Sequence, residues 1–426
     1  MQKLSGKNLL LVSFTLFSMF FGAGNLIFPP HLGAQAGVNL WPAFAGLAVS
    51  AVGLPIAGVV AVARAGGLDK LAGRVHPVFA MVFTILVYLS IGPCLAIPRT
   101  ASTSFQMLVP LIGGGIGLQL AYSVLFFAAA FLVALRPEKL TNWLGRILCP
   151  SLILLIVVLF AGCLAHPLAA YYGAPSAEYA ALPAVQGILY GYQTMDTLAG
   201  LNFGAVIALN IRARGVTESR AVESGTIRAG LLAGGLLLAV YAMLSHAGAQ
   251  TGAVYPGLAT GAEVLTALAQ QLFGRAGLVL IAAIFVIACF NTCVGLIACV
   301  GQYFHQLLPR IPYPAIAAFF AVASMLVSNL GLAAIIRLST PVLNAIYPAA
   351  IVLILLSFMP GLEKHRAVYP LCMGLTALQS IAAALPLGAV SAAANALPLG
   401  SMGFGWVLPA LAGLAGGLLL NKSDLQ

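Results

Sequence analysis

Runs of apolar residues, each roughly 18 to 25 long and bounded by Pro, Gly or a charge, recur along nearly the whole of this chain. That is the length a helix needs to cross the hydrocarbon core of a bilayer. The runs lack the period-two alternation of membrane barrel strands, so an all-α polytopic membrane protein is expected. Composition excludes the soluble alternatives: 62% of the 426 residues are hydrophobic and 7% are charged, too few to cover a globular surface. The formal charge of +10 does not read as a nucleic-acid footprint, because the basic residues stand singly between apolar runs. They read as topology signals, and no nucleic-acid partner is expected. The 7 cysteines lie almost entirely inside apolar runs without metal-binding spacing.

Punctuation by Pro, Gly and charge predicts about twelve transmembrane helices. They fall near 8–30, 40–63, 78–98, 118–135, 147–165, 183–208, 229–249, 276–300, 313–330, 338–358, 367–386 and 403–420. With both termini cytoplasmic, the inner side receives Lys3, Lys7, Arg64, Lys70, Arg74, Arg136, Lys139, Arg146, Arg212, Arg214, Arg220, Arg228, Arg310, Lys364, Arg366 and Lys422. Only Arg99, Arg275 and Arg337 are left outside, an asymmetry that one span more or fewer would scramble. Residues 212–228 read as a short polar helix on the inner face, and 262–275 as an outer amphipathic segment.

Two spans carry marks of interruption. The first contains Phe21-Gly22-Ala23-Gly24-Asn25 and then Pro29-Pro30. Each glycine weakens a helix by about 1 kcal/mol relative to alanine, and Asn25 is polar inside an apolar run. The sixth contains Gly191-Tyr192-Gln193-Thr194-Met195-Asp196-Thr197, where Asp196 is the one acidic residue in the expected membrane interior. Such a residue costs about 2.5 to 3.5 kcal/mol at a helix centre and should face a cavity or a partner. It either serves a site or bonds to nearby hydroxyls and backbone to stabilise the break. Interrupted helices at corresponding places in two halves point to an inverted-repeat secondary transporter with its site at the midplane. Residues 1–175 and 176–360 would be the two five-helix repeats, and 361–426 two peripheral helices with a cytoplasmic tail.

The chemistry of the breaks follows. Free N–H groups of Gly22, Ala23 and Gly24 would open the outer half-helix toward an anion such as a carboxylate. Released carbonyls of the breaks would suit an alkali cation or an ammonium group, so an amino acid zwitterion has both charges in order. In the eighth span, Cys289-Phe290-Asn291-Thr292-Cys293 reads either as packing or as a cation site using the Thr292 hydroxyl and the Cys289 carbonyl. Arg99, after Pro93 and Pro98, is expected to end the third span on the outer side, as a gate or as an interfacial anchor. Tyr88 would line the cavity or bond to a neighbouring helix. A cavity with no basic side chain, lined by Phe20, Phe21, Tyr88, Met195 and aliphatics, should prefer an uncharged apolar side chain.

The run Phe21 to Pro30, with Gly92-Pro93 through Pro98-Arg99-Thr100-Ala101 and Gly191 through Leu198, resembles the bacterial branched-chain amino acid:cation symporter family of the BrnQ type. The resemblance covers essentially the whole chain, and the combination of motifs is specific. It implies membership of the amino acid/polyamine/organocation superfamily and the leucine-transporter fold of five-plus-five inverted repeats with broken helices 1 and 6. It implies that Gly22 to Gly24, beside Asn25, hold the substrate carboxylate. The Tyr192, Gln193, Thr194 and Met195 backbone, next to Asp196, would hold the ammonium. It implies a sodium site from the Ser18 and Phe21 carbonyls, the Cys289 carbonyl and the Thr292 hydroxyl. Cys293 stands where sodium-coupled relatives carry a second hydroxyl, so Asn291, a backbone oxygen or water would complete the shell, and Li+ or H+ are alternative coupling ions. Phe28 occupies the stretch where relatives often place a gating arginine, a role Arg99 would take over. The implied substrates are leucine, isoleucine and valine. The implied setting is a monomer surrounded by membrane lipid in the bacterial inner membrane, and no enzyme activity is expected.

Overall fold

Backbone in hydrocarbon must satisfy its own N–H and C=O groups, which leaves the helix as the way for a single apolar run to cross. The computed structural model describes residues 4–136, 146, 148–362, 365–385 and 388–423. Every regular element among them is helical. In chain order the α-helices are α1 (Gly6–Phe20), α2 (Ala23–Ala36), α3 (Leu40–Ala48), α4 (Leu54–Ala65), α5 (Leu68–Gly73), α6 (Pro77–Leu89) and α7 (Ala96–Ile112). They continue with α8 (Ile116–Ala134), α9 (Cys149–Ala165), α10 (Ala177–Ala181), α11 (Pro183–Tyr192), α12 (Asp196–Arg212) and α13 (Ser219–Val254). The last are α14 (Gly261–Leu307), α15 (Tyr313–Ser328), α16 (Leu332–Phe358), α17 (Val368–Ala384), α18 (Ala389–Asn395) and α19 (Val407–Ser423).

Among the described residues, 6 stretches qualify as membrane crossings by length and apolarity, or 7 with the bent pair α11 and α12. The shorter apolar helices α1, α9, α15, α17 and α19 fall where the remaining crossings were expected. Leu125, Phe319, Leu378 and Leu419 are exposed on the flanks of the bundle, as lipid-facing side chains must be.

Three expectations need correction. The third passage does not end at Arg99. A π-turn at Ser90–Cys94 and non-helical torsions at Gly92 kink it, and it resumes as α7 up to Ile112. Pro98 sits in the first turn of α7, where a missing N–H costs nothing. Residues 219–228 are not a separate polar helix but the start of α13, which runs unbroken into the seventh passage. Residues 301–307 likewise extend the eighth passage. The outer segment expected at 262–275 is present as the first part of α14, set off by a kink at Gly274. Lys3, Lys139, Lys364 and the first residue of the fifth predicted span lie outside the described residues, as does the side chain of Lys422.

The packing places both breaks at the centre. α2, the second half of the first passage, lies along α13 of the seventh. The two halves of the sixth passage, α11 and α12, lie along α3 and α4 of the second. The eighth passage packs on α7 of the third. Exchanging each passage with the one five places along turns the first pairing into the second and maps the third onto itself, the reciprocity two inverted repeats would produce. Both matched interfaces rest on glycine. A Cβ at Gly33 or Gly248 would enter the backbone of the seventh or first passage, and one at Gly46 or Gly187 that of the sixth or second. Close backbone approach of this kind holds helices together where no hydrophobic drive exists between them. Arg64 donates to Glu223 at 2.7 Å, joining the second and seventh passages.

Candidate functional site

The first passage is interrupted where its glycines predicted. α1 stops at Phe20, Phe21 and Gly22 are extended, and α2 restarts at Ala23. The Gly22 N–H is not free, contrary to expectation: it donates to Asn25 Oδ1 at 3.0 Å, so Asn25 caps its own half-helix. That leaves Ala23 and Gly24 in the open first turn, where N–H groups have no intrahelical acceptor.

The sixth passage breaks between Tyr192 and Asp196, with its halves bent by 51°. Met195 carries the turn at φ 65°, a left-handed conformation that is uncommon for a non-glycine residue. Asp196 then opens α12, where the helix dipole favours a negative charge. Its Oδ2 accepts from Asn25 Nδ2 at 2.5 Å and from the Tyr241 hydroxyl at 3.0 Å, and Asn25 Nδ2 also donates to Tyr241. One buried triad therefore ties the two breaks to each other and to the seventh passage. Asp196 does brace the broken helices, and it also lines the cavity beside them.

Arg99 overturns the picture of a cavity without basic side chains. It is 3% exposed and lines the same cavity as Asp196. Its Nη1 donates to the Gln193 carbonyl at 2.8 Å and its Nη2 to the Thr194 carbonyl at 3.3 Å. The carbonyls expected to lie open for an ammonium group or a cation are thus capped by the protein's own guanidinium. Arg99 also lies over the Phe28 ring, 5.4 Å from its centroid. Phe28 meets Tyr190 edge-on, and the Tyr190 hydroxyl is 2.5 Å from His31 Nδ1. These side chains form a layer above the breaks, so the two residues expected to gate are in contact.

Between the breaks lies a cavity of about 20 Å³, lined by Gly22, Ala23, Gly24, Asn25, Arg99, Thr194, Met195, Asp196 and Thr292 together with apolar side chains. That is room for one water, so an amino acid enters only if the passages part. Beyond the Phe28–Arg99 layer, a cavity of about 310 Å³ opens between α11, α16 and α17. Tyr192 and Gln193 belong to this outer cavity rather than to the central one. Tyr88 does not line the central cavity; it stacks on Tyr303 at 4.0 Å. Sequence reasoning missed Ile91, Ala96, Thr100, Ala199, Phe203 and Leu296 in the wall, and Tyr241 in the triad. The apolar ones carry no mark distinguishing them from packing residues.

The residues expected around a cation are partly gathered. Asn291 Nδ2 donates to Ser18 Oγ at 2.9 Å, and the Thr292 hydroxyl reaches the Met19 carbonyl at 3.4 Å. Asn291 Oδ1 is buried without a hydrogen-bond partner. Phe21 stacks on Phe17, at 5.1 Å. Cys289 and Cys293 are buried on an unbroken stretch of α14, and the Cys293 thiol meets the Thr100 side chain. Among the described residues no group of three or more His, Cys, Asp or Glu could hold a metal ion.

Comparison with known proteins places this architecture. Two solved structures of Mhp1, one described as a nucleobase-cation-symport-1 family transporter in a closed conformation with bromovinylhydantoin bound and one as inward facing, match at TM-scores of 0.61 and 0.64. Identity is 11% and 10%, and the match covers 97% and 99% of this chain and 93% and 95% of theirs. The fold is therefore the leucine-transporter-like one. Residues 5–424 match the family described as branched-chain amino acid transport protein. Branched-chain amino acid permease BraB of Bacillus subtilis is 40% identical over 97% of this chain and 96% of its own length. The branched-chain amino acid transport system 2 carrier protein of Pseudomonas aeruginosa is 42% identical over 85% and 83%. The chain belongs to this family of multi-pass membrane transporters, and it is not an enzyme.

Proposed function

We propose that this protein imports leucine, isoleucine and valine by cation symport, alternating access to the cavity between its two helix breaks. The observation that carries the reading is the convergence on one cavity of both breaks, the buried side chains of Asp196 and Arg99, and apolar wall residues, with the Phe28–Arg99 layer beside it. The open first turn of α2 at Ala23 and Gly24 takes the substrate carboxylate. Asp196 draws the ammonium group. Phe20, Phe203, Ile91 and Leu296 receive the aliphatic side chain, and such a pocket separates side chains differing by one methylene by only about 1 to 3 kcal/mol. The three substrates therefore compete.

The zwitterion is neutral, so one co-transported cation moves one net charge, and about 100 mV then supplies about 2.3 kcal/mol, near fifty-fold accumulation. Sodium is the favoured cation, supported by the Ser18, Asn291 and Thr292 oxygens beside the first break and by the unpartnered Asn291 Oδ1. Hard oxygen donors of this kind suit an alkali ion. Proton coupling is the second reading, favoured by a carboxylate buried in the cavity wall. In either case residues 1–175 and 176–360 form the two repeats, both termini face the cytoplasm of a bacterial cell, and lipid surrounds a monomer.

Leucine uptake into proteoliposomes, with sodium, lithium and proton gradients imposed separately, tests the proposal. Accumulation driven by sodium at fixed pH supports sodium symport, and accumulation driven only by a pH gradient supports the proton. Equilibration without accumulation under every gradient would exclude symport.

A further inference from the structure

Arg99 and Asp196 line one cavity, yet among the described residues no ion pair joins them. Asp196 spends its Oδ2 on Asn25 and Tyr241, and Arg99 spends Nη1 and Nη2 on the Gln193 and Thr194 carbonyls. Arg99 Nε is buried with no partner at all. A guanidinium with an idle donor in an apolar, 3% exposed setting is a costly arrangement unless a ligand completes it. The guanidinium lies directly against the open first turn of α2, since a Cβ on Gly24 would come within 2.7 Å of Arg99 Nη2. The first turn of α2 and Arg99, the one with open backbone donors and the other with an unpartnered Nε, therefore line the same small cavity.

We propose that Arg99 is a binding residue for the substrate carboxylate, and that the separated Arg99 and Asp196 charges make the cavity a selector for zwitterions. This rests on the central-cavity reading of the function and adds a side-chain ligand to it. The carboxylate meets Arg99 Nε and the Ala23–Gly24 turn while the ammonium faces Asp196. Because Nη1 and Nη2 hold the sixth-passage carbonyls and the guanidinium covers Phe28, the same residue senses the substrate and closes the layer above it. Solutes lacking either charge leave one buried ion unmatched, and cationic side chains are repelled.

The test compares inhibition of labelled leucine uptake by L-leucine, by L-leucinamide, which lacks the carboxylate, and by 4-methylpentanoate, which lacks the ammonium, using the full chain in proteoliposomes. In the wild type leucine should inhibit at least about tenfold better than either analogue, the size expected for one charge-assisted hydrogen bond. In Arg99→Gln the leucine affinity should fall about ten- to hundredfold. Leucinamide inhibition should be unchanged, bringing the ratio of the two toward one. If Arg99→Gln does not fold or transport, Arg99→Lys decides, because it keeps the charge but not Nε: the leucine-to-leucinamide ratio should drop at least about threefold. An unchanged ratio in the deciding variant overturns the proposal. A wild type that shows no leucine uptake overturns instead the central-cavity reading on which it stands.

Discussion

Tyr241→Phe isolates the junction of the two breaks. The substitution keeps the ring and its contact with Phe21, at 6.4 Å, and removes only the hydroxyl that donates to Asp196 Oδ2 at 3.0 Å and accepts from Asn25. All three groups are buried, so water does not replace the lost partner. A hydrogen bond to a charged group contributes about 1.5 to 3 kcal/mol, and a neutral one about 0.5 to 1.5. Tyr241→Phe should therefore destabilise the protein by about 1.5 to 3 kcal/mol. In an Asp196→Asn background the same change should cost about 1 kcal/mol less, because the charged acceptor is gone. Equilibrium unfolding of the four proteins of this cycle in one detergent measures the coupling. Strict additivity, or a cost under about 0.5 kcal/mol in both backgrounds, would refute the triad as the brace between the broken helices.

The other predictions concern single residues of the site. Asp196→Asn should abolish leucine uptake while the protein still elutes as a folded species in detergent; full transport would remove Asp196 from the mechanism. Thr292→Ala, which deletes the hydroxyl at the Met19 carbonyl, should raise the sodium concentration for half-maximal uptake, and an unchanged dependence would argue against the proposed ion position. Gly24→Ala places a methyl 2.7 Å from Arg99 Nη2 and 3.2 Å from Thr194 Cα. Overpacking of this kind costs about 1 to 3 kcal/mol, so leucine uptake should fall about ten- to hundredfold while Gly6→Ala, with nothing near its Cβ, has no effect.

What could be read from the sequence was whatever leaves a polar or conformational mark in an apolar background. Gly22, Gly24, Asn25 and Asp196 stand out for that reason, and both breaks lie where they predicted. Arg99 was visible but misplaced, because Pro93 and Pro98 look the same whether a helix ends there or bends and restarts, and only the first-turn position of Pro98 in α7 distinguishes the cases. The error had a consequence: it removed the one buried cation from the cavity and left the Gln193 and Thr194 carbonyls apparently open. Tyr241 was hidden differently. It sits on an unbroken helix among ordinary apolar neighbours, and its partners, Asn25 and Asp196, are 216 and 45 residues away in the chain. Likewise Tyr88 looked like a wall residue, but its ring is taken up by Tyr303 of the eighth passage.

A structure determined with leucine bound tests the central claim most directly. The carboxylate is predicted within hydrogen-bonding distance of the Ala23 or Gly24 N–H, the ammonium facing Asp196, and the isobutyl group toward Phe20 and Phe203. Density for leucine only in the outer cavity between α11, α16 and α17, or continuous helices through Gly22 and Met195, would contradict it.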